Sequence, residues 1–243
     1  MNTSETFEDL IKKRQGCTIC HESNKLYHFE NVIKDSPILL GLWDPLESNS
    51  NDAEILIVGQ DFSDRSYLEK AKNIKGIKDL EANNPTNGKL KRYLETAGLY
   101  NQKIYFTNSI LCIKNGETKT TKKGTSMSTP IKRKWCINCS DKFLKPLIVD
   151  HLPNVKIIIT LGANALLSIN NISDAEKNTE LNNTNAKKAP FTDYLAIEKN
   201  IVVSGITYKL IPMAHPSFEH LTLSKHAKNA NQLWEGVKKL LDS

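Results

Sequence analysis

Four short apolar runs stand out along a chain of otherwise mixed polarity, at residues 54–59 (EILIVG), 103–108 (KIYFTN), 155–161 (VKIIITL) and 208–214 (YKLIPMA). Each is dense in Ile, Val, Leu or aromatic side chains, and polar or glycine residues mark where it stops. Continuous rather than alternating apolar runs suit strands covered on both faces, as in a parallel sheet. Helical spacing lies between them. Leu90, Tyr93, Leu94 and Ala97 recur at i, i+3, i+4 and i+7, and Gly98 follows where a helix end favours a left-handed residue. Residues 140–151 put Phe143, Leu144, Leu147 and Ile148 on one face, with Pro146 expected to kink that helix or mark its start. A helix over 163–169 and a closing helix over 225–241, striped by Ala227, Ala230, Leu233, Trp234, Val237, Leu240 and Leu241, complete the pattern. Strands alternating with helices predict an α/β fold, a three-layer sandwich with a central four-stranded parallel sheet flanked by helices.

At 243 residues the chain can bury a core without help from disulfides or metals, and the length suits a single domain spanning 1–243. Charged residues at 25% fit a soluble globular protein, and aromatics at 7% argue against a carbohydrate-binding or membrane-interface protein. The longest apolar runs fall far short of the roughly 18 residues of a membrane span. No apolar signal core opens the sequence, so a cytoplasmic protein is expected, without membrane or evident protein partner and as a monomer. The net charge of +6 is only a hint of an anionic partner. Its distribution says more. Residues 113–134 form a polar loop, and between Cys112 and Cys136 lie Lys114, Lys119, Lys122, Lys123, Lys132, Arg133 and Lys134 against the single acid Glu117. A positive loop of this kind suits a phosphate backbone, and Lys122, Lys123, Lys132, Arg133 and Lys134 are the candidate DNA contacts. A second polar stretch, 173–193, is expected to be a mobile loop.

In an open parallel sheet the ligand site lies beyond the carboxyl ends of the strands. The first strand ends in Gly59-Gln60-Asp61-Phe62, with a glycine that permits close approach to the backbone and an acid at the mouth of the sheet. The second ends in Thr107-Asn108, whose carboxamide offers a donor and an acceptor side by side, as reading a planar base edge requires. The fourth ends in His215-Pro216-Ser217, placing an imidazole where it can donate to a developing oxyanion. Each has an ordinary structural reading when taken alone: a helix cap, a loop tie, a surface histidine. Asn84-Pro85-Thr86-Asn87 opens the first helix, first as a turn and cap, with DNA or pocket contact the second reading.

Five cysteines, in a compartment that keeps thiols reduced, read as thiols or metal ligands. Cys17-Thr18-Ile19-Cys20, in an N-terminal segment of residues 1–50, and Cys136-Ile137-Asn138-Cys139 are two C-x-x-C pairs. They read as a four-cysteine structural zinc site, with Cys112 left over, or as part of the ligand set of a four-iron four-sulfur cluster.

The ordered set Gly59-Gln60-Asp61, Thr107-Asn108 and His215-Pro216-Ser217 resembles the uracil-DNA glycosylase superfamily. Asn138-Cys139-Ser140-Asp141-Lys142-Phe143-Leu144 and the Leu161-Gly162 strand end are similar to its iron–sulfur branch, while Gln60-Asp61 is similar to the classical, cluster-free branch. That branch continues with Pro and Tyr where this chain has Phe62 and Ser63, and Phe218 stands where a leucine-bearing probing loop is expected. The resemblance implies hydrolysis of the N-glycosidic bond of uracil in DNA, initiating base excision repair on a flipped or single-stranded base. It implies catalytic roles for Asp61 and His215, and base contacts from Gly59, Gln60, Phe62, Asn108 and Ser217. By the family pattern the cluster ligands are Cys17, Cys20, Cys112 and Cys139, with Cys136 unused. Two other readings share this fold: a glycosylase for another deaminated base such as hypoxanthine, and a metal-containing nucleic-acid-binding protein that does not cleave.

Overall fold

The computed structural model describes residues 5–21, 26–28, 52–62, 64, 85–100, 103–116, 119–120, 126–127, 129–174, 195, 197–217 and 230–241. Helix α1 (Phe7–Gln15) begins the described chain and was not anticipated from the pattern. A capping box starts it. Thr6 accepts from the Asp9 backbone N–H, and the Asp9 carboxylate accepts from the Thr6 N–H in return. Its inner face carries Leu10 and Arg14, and the Arg14 guanidinium donates to the Leu111 carbonyl at 3.0 Å.

Strand β1 (Leu26–His28) precedes the first sheet strand, β2 (Ile55–Gly59). Helix α2 (Pro85–Thr96) opens on Pro85, whose fixed φ and missing N–H suit a first helical turn. It ends before Gly98, at φ 67°, as the left-handed stop expected there. Strand β3 (Ile104–Asn108) leads to β4 (Cys112–Lys114), then to the short β5 (Lys119–Thr120) and β6 (Ser126–Met127). Residues 113–134 are therefore not a plain surface loop. β4 pairs antiparallel with β1 and β5 with β6, because β1 supplies backbone partners that the local sequence does not reveal.

Helix α3 (Arg133–Cys139) begins well before residue 140 and runs on through two π-helical turns, Ser140–Leu144 and Leu147–His151. Pro146 sits between these turns rather than at a start. Proline lacks the N–H and crowds the carbonyl one turn back, and the wider π turns on either side accommodate it. Strand β7 (Ile157–Leu161), helix α4 (Ala163–Ile172), strands β8 (Lys199–Val203) and β9 (Ile206–Met213), and helix α5 (Ala230–Leu241) follow. Residues 225–229 of the expected last helix, and residues 175–193 of the expected second loop, lie outside the described residues.

The central sheet has the order β3-β2-β7-β9-β8. Its first four strands are parallel, as expected, and the fifth, β8, is antiparallel to β9 and was missed. Two apolar layers cover the sheet. On one face Leu56, Val58, Ile158 and Leu210 meet α1, the α3 region and α4. On the other Ile57, Phe106, Ile159 and Ile211 meet Leu90 and Leu94 of α2 and Trp234 and Val237 of α5. Each fully buried aliphatic side chain contributes about 1.5–3 kcal/mol, which explains why β2, β3 and β7 are buried at every position. The order places β3 and β7 on opposite sides of β2, so the direction in which successive strands are added reverses beside the end of β2, where a ligand crevice forms. No helix among the described residues is long and apolar enough to cross a membrane.

Candidate active site

The site is built from the carboxyl ends of β2, β3, β7 and β9. Gly59 ends β2 directly beside Asn108 of β3 in the parallel register. The ladder continues past the strands, with the Ser109 N–H bonded to the Gly59 carbonyl at 2.9 Å and the Ile110 N–H to Gln60 at 3.1 Å. Asn108 shares the β3 face of Ile104 and Phe106, and it is 1% exposed. Neither its carboxamide nitrogen nor its oxygen has a hydrogen-bond partner among the described residues. A buried polar group left this way costs about 1–3 kcal/mol, which a planar ligand edge returns on binding.

Asp61 sits two residues beyond Gly59, its side chain 11% exposed and its carboxylate 3.0 Å from the Lys114 ammonium. Lys114 is itself buried. Its ammonium donates to the Thr129 carbonyl at 2.8 Å and lies 3.8 Å from Asp64, whose other oxygen accepts from the Thr129 N–H at 2.8 Å. Lys114 thus leaves the solvated basic set in which its sequence position puts it.

His215 follows β9. The Ser217 N–H donates to His215 Nδ1 at 3.3 Å, which assigns the imidazole proton to Nε2. Burial pulls its pKa down to about 4; Asp61 opposes this and Lys114 adds to it. The ring is therefore a neutral donor at physiological pH. Above the ordinary value of 6.5 folding carries no cost from it. As pH drops from 6.5 towards 4 the unfolded chain takes up a proton that the folded chain refuses, so stability is expected to fall, by at most roughly 3 kcal/mol. Melting temperatures measured across that window should drop less steeply in His215→Gln; parallel curves would show that His215 is not the group responsible.

Gly162, at φ 91° after β7, closes the floor. A Cβ there would stand 3.2 Å from the His215 Cβ and 3.5 Å from Gln60 Nε2. Gln60 is held by Asn164 of α4, whose Nδ2 donates to Gln60 Oε1 at 2.8 Å. The start of α2 reaches the same place, for the Thr86 and Ser217 hydroxyls are hydrogen-bonded and Lys89 donates to the Pro216 carbonyl. Phe62 is half-buried and packs against the core on the α1, α3 and α4 side. Phe218 lies outside the described residues. Sequence reasoning missed Lys114, Asp64 and Asn164 as parts of this assembly and gave Gly162 no role in it, while for Thr86 it set pocket contact behind a turn and cap. The strand-end rule applied to β7 would have found Gly162, whereas nothing local signals that Lys114 is buried.

The cysteines gather on the far side of β4. Cys17, Cys20, Cys112 and Cys139 line one cavity with Trp135 and Phe143. Asn138 donates to the Cys20 sulfur at 3.4 Å, and burial pushes the Cys139 thiol well up while the Leu111 backbone hydrogen-bonds to it. Cys136 is not among the lining residues. It is fully buried in an apolar cluster with Leu26, Ile110 and Leu167, and burial pushes its thiol up to about 12 against a lowering influence from nearby Ser168. None of the five is in a disulfide. Among the described residues no three Cys, His, Asp or Glu side chains are gathered closely enough to grip a single metal ion. Lys132, Arg133 and Lys134 are exposed at the start of α3, with Lys132 5.3 Å above the Trp135 ring. Lys122 and Lys123 lie outside the described residues.

No curated protein matches the chain. The family model of the uracil DNA glycosylase superfamily matches residues 46–240, a span that holds every strand-end group of the crevice. The chain belongs to the uracil DNA glycosylase superfamily and is a DNA glycosylase-type hydrolase.

Proposed function

We propose that the protein removes uracil from DNA, and that it carries a structural four-iron four-sulfur cluster. The observation that carries the first part is Asn108, a buried carboxamide with an open donor and an open acceptor beside a glycine. Uracil offers a carbonyl and an imide N–H in complementary order. Cytosine presents an amino group instead, and a buried polar edge left mispaired discriminates by about 10⁴–10⁵. His215 Nε2–H donates to the base oxygen as the C1′–N1 bond breaks and the pyrimidine leaves as an anion. Asp61 orients the attacking water and offsets the positive charge on the sugar; the new C1′–O bond forms from that water, whose proton is lost towards the carboxylate. Gly59 and Gln60 contribute backbone contacts to the base, Ser217 fixes the His215 tautomer, and Phe62 flanks the base or crowds a thymine methyl.

Four thiols lining one cavity suit a four-thiolate group, and the match of these four positions to the family pattern favours a four-iron four-sulfur cluster over a lone zinc. Cys17, Cys20, Cys112 and Cys139 would hold it, and Cys136 would remain a packed thiol. When bound it would supply a cross-link rather than bond-making chemistry, tying the segment around α1 to β4 and α3. Lys132, Arg133 and Lys134 would meet the phosphate backbone, with affinity falling as salt rises.

The decisive experiment is base release from otherwise identical oligonucleotides bearing uracil, hypoxanthine or xanthine. Alkali-labile abasic sites are expected from uracil. Release from hypoxanthine alone would move the specificity, and a gel shift without release would make the protein a binding module.

A further inference from the structure

We propose that Lys114 is a positioning residue that holds the Asp61 carboxylate in place for base release, an inference that rests on the catalytic reading of Asp61. Lys114 lies on β4, one strand beyond the strand that carries Asn108, and its side chain is 1% exposed. Its ammonium brings three oxygens together: Asp61 at 3.0 Å, the Thr129 carbonyl at 2.8 Å and Asp64 at 3.8 Å. Asp64 is 0% exposed and is fixed in turn by the Thr129 N–H. Its backbone also bridges to Lys114. Gly116 keeps the return limb close, since a Cβ there would fall 1.8 Å from Thr129 Oγ1.

A carboxylate at the mouth of a crevice would otherwise sample several rotamers. Here the carboxylate is engaged from the protein side by a buried cation that is itself held by the Thr129 carbonyl. The same cation grips the segment that returns from the basic stretch, so Asp61 and that segment share one anchor. A misplacement of about 1 Å at a reacting group can cost about 100-fold in rate.

Lys114→Met, which keeps length and removes charge, is expected to slow single-turnover base release about 10- to 100-fold while changing oligonucleotide affinity less than about threefold. If Lys114 acts through Asp61, the same change made in Asp61→Asn produces no further loss. Equal slowing in the wild-type and Asp61→Asn backgrounds overturns the inference alone. An Asp61→Asn protein of undiminished activity overturns the catalytic reading, and the inference with it. Since Lys114→Met strands two buried carboxylates, Lys114→Met/Asp64→Asn restores the local net charge, and full activity in that folded pair also overturns the proposal. With Lys114 itself intact, its sheltered ammonium ¹⁵N resonance is expected to move on Asp61→Asn, and an unmoved resonance overturns the pairing.

Discussion

Replacing Asp61 by asparagine is expected to cut single-turnover release of uracil by about 10²–10³-fold while leaving the melting temperature within a few degrees of wild type. The two side chains have nearly the same shape, so the loss isolates the charge. A carboxylate beside a developing oxocarbenium ion acts in a partly dry site, where a fixed charge is worth more than in water, and removing one such group costs about 10²–10³ in rate. The fold should survive because the buried Lys114 keeps Asp64 and the Thr129 carbonyl after Asp61 is neutralised. His215→Ala should suppress release by a similar factor through loss of the Nε2–H donor. Base release undiminished in both variants would remove these two residues from the chemistry.

Cys139→Ser and Cys112→Ser are each expected to bleach the protein and to destabilise it by about 2–5 kcal/mol, the cost of losing a native cross-link. Purified aerobically, the wild type should be brown, with broad absorbance near roughly 400 nm from thiolate-bound iron. The informative control is Cys136→Ser. Cys136 has Ser168 as its neighbour and lies among apolar side chains, so its loss should leave the colour intact. Colourless wild-type protein with stoichiometric zinc, or bleaching by Cys136→Ser with colour retained in Cys139→Ser, would reassign the ligands.

The parallel strands were legible because both faces of the sheet are covered, which forces unbroken apolar runs at 55–59, 104–108 and 157–161. Strand β8 was not, for an edge strand is only partly covered and KNIVV carries neither an unbroken run nor a clean alternation. Helix α1 was hidden by Arg14, a charge that its own sequence assigns to solvent and that Leu111 brings inside. The gathering of Asp61, Asn108 and His215 at one edge of the sheet was legible because each follows or closes a strand. Lys114 reads as one more positive charge in a basic stretch; only the pairing of β4 with β1, between residues far apart in sequence, turns it inward. Asn164 likewise means nothing until α4 is set beside the end of β2.

The bond from Arg14 to the Leu111 carbonyl spans 97 residues and has a counterpart in time. During synthesis α1 leaves the ribosome before the carbonyl it will bind, which emerges only after β2, α2 and β3 have been made. Loop-closure entropy disfavours such a contact until the intervening chain is compact. Helix α1 is therefore expected to dock late, with Leu10 and Cys17 exposed to solvent until the sheet face they pack on has formed.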